Sequence, residues 1–116
     1  MSTAAETLLV ITNLPDAEAA RLLASVLVEQ RLAACVNILA PCTSVYRWQG
    51  AIETATEVPL LIKTTTARYA ALEAAIRARH PYELPEILAV PVASGLPAYL
   101  GWVAEETTPN DTTSPC

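Results

Sequence analysis

A regular alternation of residue types runs through the middle of the chain. Every second residue from position 52 to position 62 is aliphatic or threonine: Ile52, Thr54, Thr56, Val58, Leu60 and Ile62. Successive side chains of a strand point to opposite faces of a sheet, so this segment predicts a strand longer than the mean of about five or six residues. Gln49-Gly50 separates it from a second extended segment that ends at Trp48. Together they predict a long β-hairpin.

The remaining segments predict the order of the other elements. An aliphatic run at 7–13 predicts a strand, and apolar residues at helical spacing predict a helix over 17–31, capped by Asp16. Pro41 predicts a bend in the first arm of the hairpin, because proline cannot donate to a ladder, and Pro59 predicts that part of the second arm lies at a sheet edge. A second helix over 67–79 with Thr66 as its cap, a strand over 86–92 and a short helix from Pro97 complete the chain.

This order, βαββαβ followed by a helix, predicts an α+β fold of the ferredoxin-like type. We expect one domain over residues 1–106, because domains of about 100–150 residues are the commonest size. Residues 107–116 are polar and show no periodicity, so we expect a disordered tail.

Composition and charge exclude several classes of partner. Seven basic residues stand against twelve acidic ones, a formal charge of −5, so binding to nucleic acid by phosphate neutralisation is excluded. No apolar run reaches the 18 residues or so that a membrane span needs. The N-terminus lacks the pattern of a signal peptide, and three cysteines with no CxxC spacing favour reduced thiols, so we expect a cytoplasmic protein.

A low share of charged residues favours self-association. Charged residues make up 16% of the chain and apolar ones 53%, against about 25% charged in an average soluble domain. A hairpin that extends past a small sheet also leaves main-chain edges that a neighbouring subunit would pair.

The sequence carries no catalytic motif that we can identify. It has neither a GxSxG elbow nor a Cys-His-Asn pattern, and three scattered glycines cannot form a P-loop or a GxGxxG turn. We therefore expect a protein that is not an enzyme and holds no organic cofactor.

Several short segments, in this order and at this spacing, resemble the CutA divalent-cation tolerance family. They are AACVNI at 33–38, SVYRWQG at 44–50, EVPLLIKT at 57–64, HPYELPE at 80–86 and YLGW at 99–102. The resemblance covers about residues 7–105. It implies a ferredoxin-like subunit in a tight homotrimer with interlocking hairpins, similar to the trimeric PII signalling proteins. It also implies a part in the tolerance of copper and other divalent cations.

Three residues are candidate metal ligands. His80 is the only histidine, and its imidazole would be a suitable ligand for copper or zinc. A structural role at the end of a helix explains the residue equally well. Cys35 and Glu83 complete the candidate set, with packing and surface solvation as their alternative roles. Cys35 and Cys42 are seven positions apart, which places them on opposite faces of an ideal strand. Ligands contributed by different subunits are therefore one possibility.

A further set of residues predicts a subunit interface or a cleft between subunits, because aromatic residues are enriched at interfaces. The set consists of Tyr46, Trp48, Glu57, Lys63, Tyr82, Glu86 and Trp102. Two functions follow. The first is a non-enzymatic homotrimer that binds divalent metal, copper first, in metal-ion tolerance. The alternative is a PII-like signalling trimer whose cleft between subunits binds a small anion or a partner peptide, suggested by Lys63, Arg47 and Trp48.

Overall fold

A computed structural model of the chain describes residues 6–109. Its elements in chain order are β1 (Thr7–Leu14), α1 (Ala17–Glu29), β2 (Cys35–Ile38), β3 (Cys42–Trp48), β4 (Ala51–Thr65), α2 (Thr66–Arg79), β5 (Ile87–Pro91) and α3 (Pro97–Glu106). The α+β class and the βαββαβ-like order are confirmed, with the first arm of the hairpin divided into β2 and β3. No helix in the described part of the chain is long and apolar enough to cross a membrane.

The strands form an antiparallel sheet in which the long strand β4 is central. The order is β2-β4-β1-β5, and β3 pairs with the other half of β4. The first arm is interrupted at residues 39–41, in agreement with the bend predicted at Pro41. Pro59 lies opposite this interruption, where its carbonyl accepts from the Leu39 N–H. The prediction that Pro59 marks an edge was wrong, because β4 is a central strand. Proline is tolerated there because the neighbouring strand is interrupted opposite it, so the absence of an N–H group at Pro59 costs no ladder hydrogen bond.

The turn between β3 and β4 has the conformation that a two-residue hairpin requires. Trp48 pairs with Ala51, and the residues between them, Gln49 and Gly50, have φ values of 51° and 85°. Two positive φ values define a type I′ turn, whose twist matches that of the flanking strands. The predicted hairpin around Gln49-Gly50 is thus confirmed.

Helices α1 and α2 cover one face of the sheet and enclose the core. Even-numbered residues of β1 and β4 point to this face, and Val10, Leu60 and Ile62 are fully buried there. Asp16 caps α1 as predicted, accepting from the Ala19 N–H at 2.8 Å. The N-cap of α2 is Thr65 rather than Thr66, because Thr66 is already the first residue of the helix. The Thr66 hydroxyl donates to the Glu6 carboxylate instead.

The third helix is held by a residue in the left-handed region. Arg31, with φ of 58°, donates from Nε to the Thr108 carbonyl at 2.6 Å and from a terminal nitrogen to the Glu105 carbonyl at 2.9 Å. Thr107 is buried and its hydroxyl donates to the Val103 carbonyl. Thr107 and Thr108, the first two residues of the tail predicted over 107–116, thus contact the domain, and the part of that tail from residue 110 onward lies outside the described residues.

The hairpin extends beyond the two helices. The described chain measures 54 Å along its longest axis and 24 Å along its shortest. Two apolar side chains of the hairpin, Val45 and Ile52, are 68% and 63% exposed. Their side chains point to the same face of the sheet as the core residues further along β4, but no helix within residues 6–109 covers them.

Candidate functional site

A cleft of about 780 Å³ lies between the hairpin and the loop at 80–86, and most of the strand residues that line it belong to the sheet face opposite the helices. One wall is the hairpin, where alternate residues of β3 share a face, and the other is the loop at 80–86 that follows α2. The lining residues are Asn13, Ser44, Val45, Tyr46, Arg47, Trp48, Ala55, Glu57, Tyr82, Glu83, Leu84 and Glu86. Clefts that bind small molecules commonly have volumes of about 300–1,000 Å³.

His80 fixes the loop to the end of β1. Its Nε2 lies 2.6 Å from the Asn13 carbonyl oxygen, and its Nδ1 accepts from the Tyr82 N–H at 3.2 Å. Because Nδ1 accepts, the imidazole proton is on Nε2, which donates to Asn13. The side chain is 8% exposed and its ring lies 4.7 Å from that of Tyr82. Both ring nitrogens are therefore already used within the chain, and the structural role of His80 is the one the geometry supports.

A buried carboxylate lies beneath the loop. Glu57 is 9% exposed, and the Tyr82 phenol faces it. Burial, followed by hydrogen bonding to Glu57 and the charge of Glu57, raises the pKa of Tyr82 from 10.0 to about 12. Beside this pair, Asn13 donates from Nδ2 to Glu86 Oε1 at 3.1 Å. The loop thus joins the cleft floor through polar contacts from both β1 and β4.

We expect the Tyr82 phenol to lose its proton only at strongly alkaline pH, because its pKa is raised to about 12. The folded state keeps a proton that the unfolded chain releases near pH 10, so this contribution to stability is complete below pH 10 and is lost as the pH rises towards 12. Absorbance titration of the phenolate band in wild type and Tyr82→Phe should give a difference curve centred near pH 12. In Glu57→Gln that curve should move towards pH 10, and a wild-type difference already centred near 10 would contradict the assignment.

The structure divides the predicted interface residues into two places. Five of them line the cleft: Tyr46, Trp48, Glu57, Tyr82 and Glu86. Lys63 lies elsewhere on the same face, where Nζ is 3.8 Å from Cys35 Sγ and donates to Asn37. The Trp102 ring lies 5.5 Å from that of Tyr99 and is tilted against it by 37°. Burial, and then the neighbouring Cys35 thiol, raise the pKa of the Tyr99 phenol, so Cys35, Lys63 and the two aromatics form a second cluster.

The three candidate metal ligands are not brought together within one chain. Cys35 is opposite Lys63, and His80 is bonded to Asn13, which is opposite Pro59. Pro59 and Lys63 are four positions apart along β4, or about 13 Å at the usual rise of a strand. Among residues 6–109 no three His, Cys, Asp or Glu side chains converge as a metal site.

Sequence reasoning missed Asn13, which contributes its carbonyl to His80 and its amide to Glu86. A polar residue at the end of an otherwise aliphatic strand was the available signal. Leu84, which is 72% exposed on the loop, carried no signal because a lone leucine in a loop is unremarkable.

Comparison with known proteins identifies the family. The family model for the CutA1 divalent ion tolerance protein matches residues 8–106. The divalent-cation tolerance protein CutA of Thermus thermophilus is 49% identical over 98 residues, covering 84% of this chain and 95% of that protein. Protein CutA of Mus musculus is 45% identical over 93 residues, but this chain spans only 52% of its length.

A solved structure shows the same fold. The crystal structure of CutA1 from Oryza sativa superimposes with a TM-score of 0.88 at 37% identity, covering 92% of this chain and 98% of that one. Sequence and fold agree over nearly all of the described residues. The chain therefore belongs to the CutA1 divalent ion tolerance family.

Proposed function

We propose that this chain acts in the cytoplasm as a non-enzymatic homotrimer that contributes to divalent-cation tolerance and binds copper or a similar divalent cation where subunits meet. The observation that carries the proposal is the family match over residues 8–106. The relatives are named for divalent-cation tolerance, and we extend that role to this chain. Direct binding of the metal is the further part of the proposal.

Self-association is supported by the hairpin. Val45 and Ile52 are well exposed in the isolated chain, and in residues 6–109 the strand β3 pairs on one side only, with β4. An open strand edge beside exposed apolar side chains is a surface that proteins normally cover. A neighbouring subunit that pairs with β3 would cover both.

The chemistry of the donors determines which residues suit a cation. His80 would have to give up a hydrogen bond to bind metal, and a cation beside Cys35 would meet the Lys63 ammonium group. Cys42 is exposed at the start of β3, with its sulfur 3.9 Å from Ser44 Oγ. Thiolate is a preferred ligand of zinc(II) as well as of copper, so Cys42 is the thiol that we expect to hold a divalent cation between subunits.

Copper titration of the assembled protein tests this proposal. We expect wild type to bind Cu(II) or Zn(II) with saturation, and Cys42→Ser to weaken the affinity about tenfold or more. Cys35→Ser is the matched control, since it makes the same change in a half-buried cysteine, and its affinity should stay within about twofold of wild type. Calorimetry with Cu(I), Cu(II) and Zn(II) gives the readout. If wild type binds none of these metals above background, direct metal binding is lost for this chain.

The cleft supports a second candidate function, the binding of a small effector in a PII-like manner. Its volume of about 780 Å³ and its aromatic walls are the observations in favour. Lys63, which first suggested this function together with Arg47 and Trp48, does not line the cleft. A thermal-shift screen tests the function, because a ligand that binds only the folded state raises its melting temperature.

A further inference from the structure

The walls of the cleft carry more negative than positive charge. Three carboxylates line it, Glu57, Glu83 and Glu86, against one guanidinium, Arg47. Arg47 does not neutralise them, because within the described residues the one ion pair joins Arg31 to Glu106. Asp16 adds a fourth negative charge close enough to contribute to the raised pKa of Tyr82. A cation would therefore be attracted into the cleft, and an anion would be repelled.

The three carboxylates differ in what they can offer a ligand. Glu57 is buried against Tyr82 and supplies a fixed charge at the floor. Glu86 accepts from Asn13. Glu83 is exposed at the rim and has no hydrogen-bond or ion-pair partner among residues 6–109. Glu83 is thus the carboxylate that can accept N–H groups from a bound molecule.

Aromatic rings supply the second attraction. Tyr46 and Trp48 lie on the same face of β3 and are 42% and 37% exposed in the isolated chain, with Tyr82 on the loop opposite them. The faces of tyrosine and tryptophan rings attract cations, and their apolar surfaces also accept aliphatic groups. The aromatic walls and the carboxylates therefore favour one chemical class, a cation with an organic body.

We propose that the cleft binds organic ammonium ions, with the ammonium group donating to Glu83 and the aliphatic part packed against Tyr46 and Trp48. The proposal rests on the second candidate function, effector binding in the cleft, and replaces the small anion expected from the sequence. A hydrated metal ion would use the carboxylates but leave the aromatic walls without a role, which is why an organic cation fits the cleft better.

Spermidine is a suitable probe, and Trp48 can report its binding. The chain has two tryptophans, so Trp102→Phe in the full-length protein leaves Trp48 as the only one. At constant ionic strength we expect spermidine to change the Trp48 fluorescence with saturation. Glu83→Gln in this background should raise the Kd about tenfold, because a charge-assisted hydrogen bond is lost. Glu29→Gln, the same charge change on the exposed end of α1, should leave the Kd within about twofold.

Three results would overturn the proposal. Equal weakening in Glu83→Gln and Glu29→Gln would show that spermidine responds to net charge alone. Binding of citrate or ATP in place of spermidine would reverse the charge preference while leaving effector binding in the cleft intact. If none of the three probes gives a saturable signal and the thermal-shift screen is also negative, the second candidate function fails together with the proposal.

Discussion

Replacement of His80 by alanine should lower the free energy of unfolding by roughly 2–4 kcal/mol, since two partly buried hydrogen bonds and a packed ring are lost together. The ring joins the Asn13 carbonyl at 2.6 Å to the Tyr82 N–H at 3.2 Å and is 8% exposed. Urea unfolding followed by circular dichroism measures the change. Protein concentrations must match, because association makes apparent stability concentration-dependent.

Neighbouring and conservative variants separate this effect from a general loss at the helix end. Arg79→Ala alters an exposed residue at the end of α2 and should change stability by about 0.5 kcal/mol or less. His80→Gln can keep a donor for Asn13, and His80→Asn can keep an acceptor for the Tyr82 N–H, so both should fall between wild type and alanine. An alanine variant as stable as wild type would contradict the structural role of His80.

Local sequence patterns predict the strands and helices of this fold, but they do not predict how deeply each residue is buried. Ile52 and Ile62 occupy equivalent positions in one alternation, and the period of two correctly places both on the same face of β4. Ile62 is fully buried and Ile52 is 63% exposed, because the helices that cover the sheet end before the hairpin does. A strand pattern gives the face of a residue, whereas burial depends on which elements pack against it.

The candidate site depends on contacts between distant parts of the chain. HPYELPE marked the loop, and five of the seven predicted interface residues line the cleft. The role of His80 depends on a carbonyl 67 positions away, at Asn13, which no local pattern could indicate. The sequence suggested Lys63, Arg47 and Trp48 together as the residues of an effector site. The length of β4 separates Lys63 from the other two, since Lys63 is opposite Cys35 and Trp48 is opposite Ala51.

Ile52→Asp should convert the proposed homotrimer into monomers. In an assembly that covers the hairpin, the new carboxylate would be buried without a partner, at a cost of several kcal/mol for each subunit. The isolated chain tolerates the change because Ile52 is 63% exposed and contributes little to its own core. Analytical ultracentrifugation at micromolar concentration should give a trimer mass for wild type and a monomer mass for Ile52→Asp.

Leu22→Asp is the matched control for this experiment. Leu22 lies on α1, away from the hairpin, and is 64% exposed, almost the same fraction as Ile52. If apolar exposure alone favoured association, both variants would dissociate; if the hairpin is the contact, only Ile52→Asp would. A monomer mass for wild type would contradict the trimer itself. A trimer mass for Ile52→Asp would instead place the contact elsewhere, because an assembly that buries position 52 cannot accept an unpaired carboxylate there without a large loss of affinity.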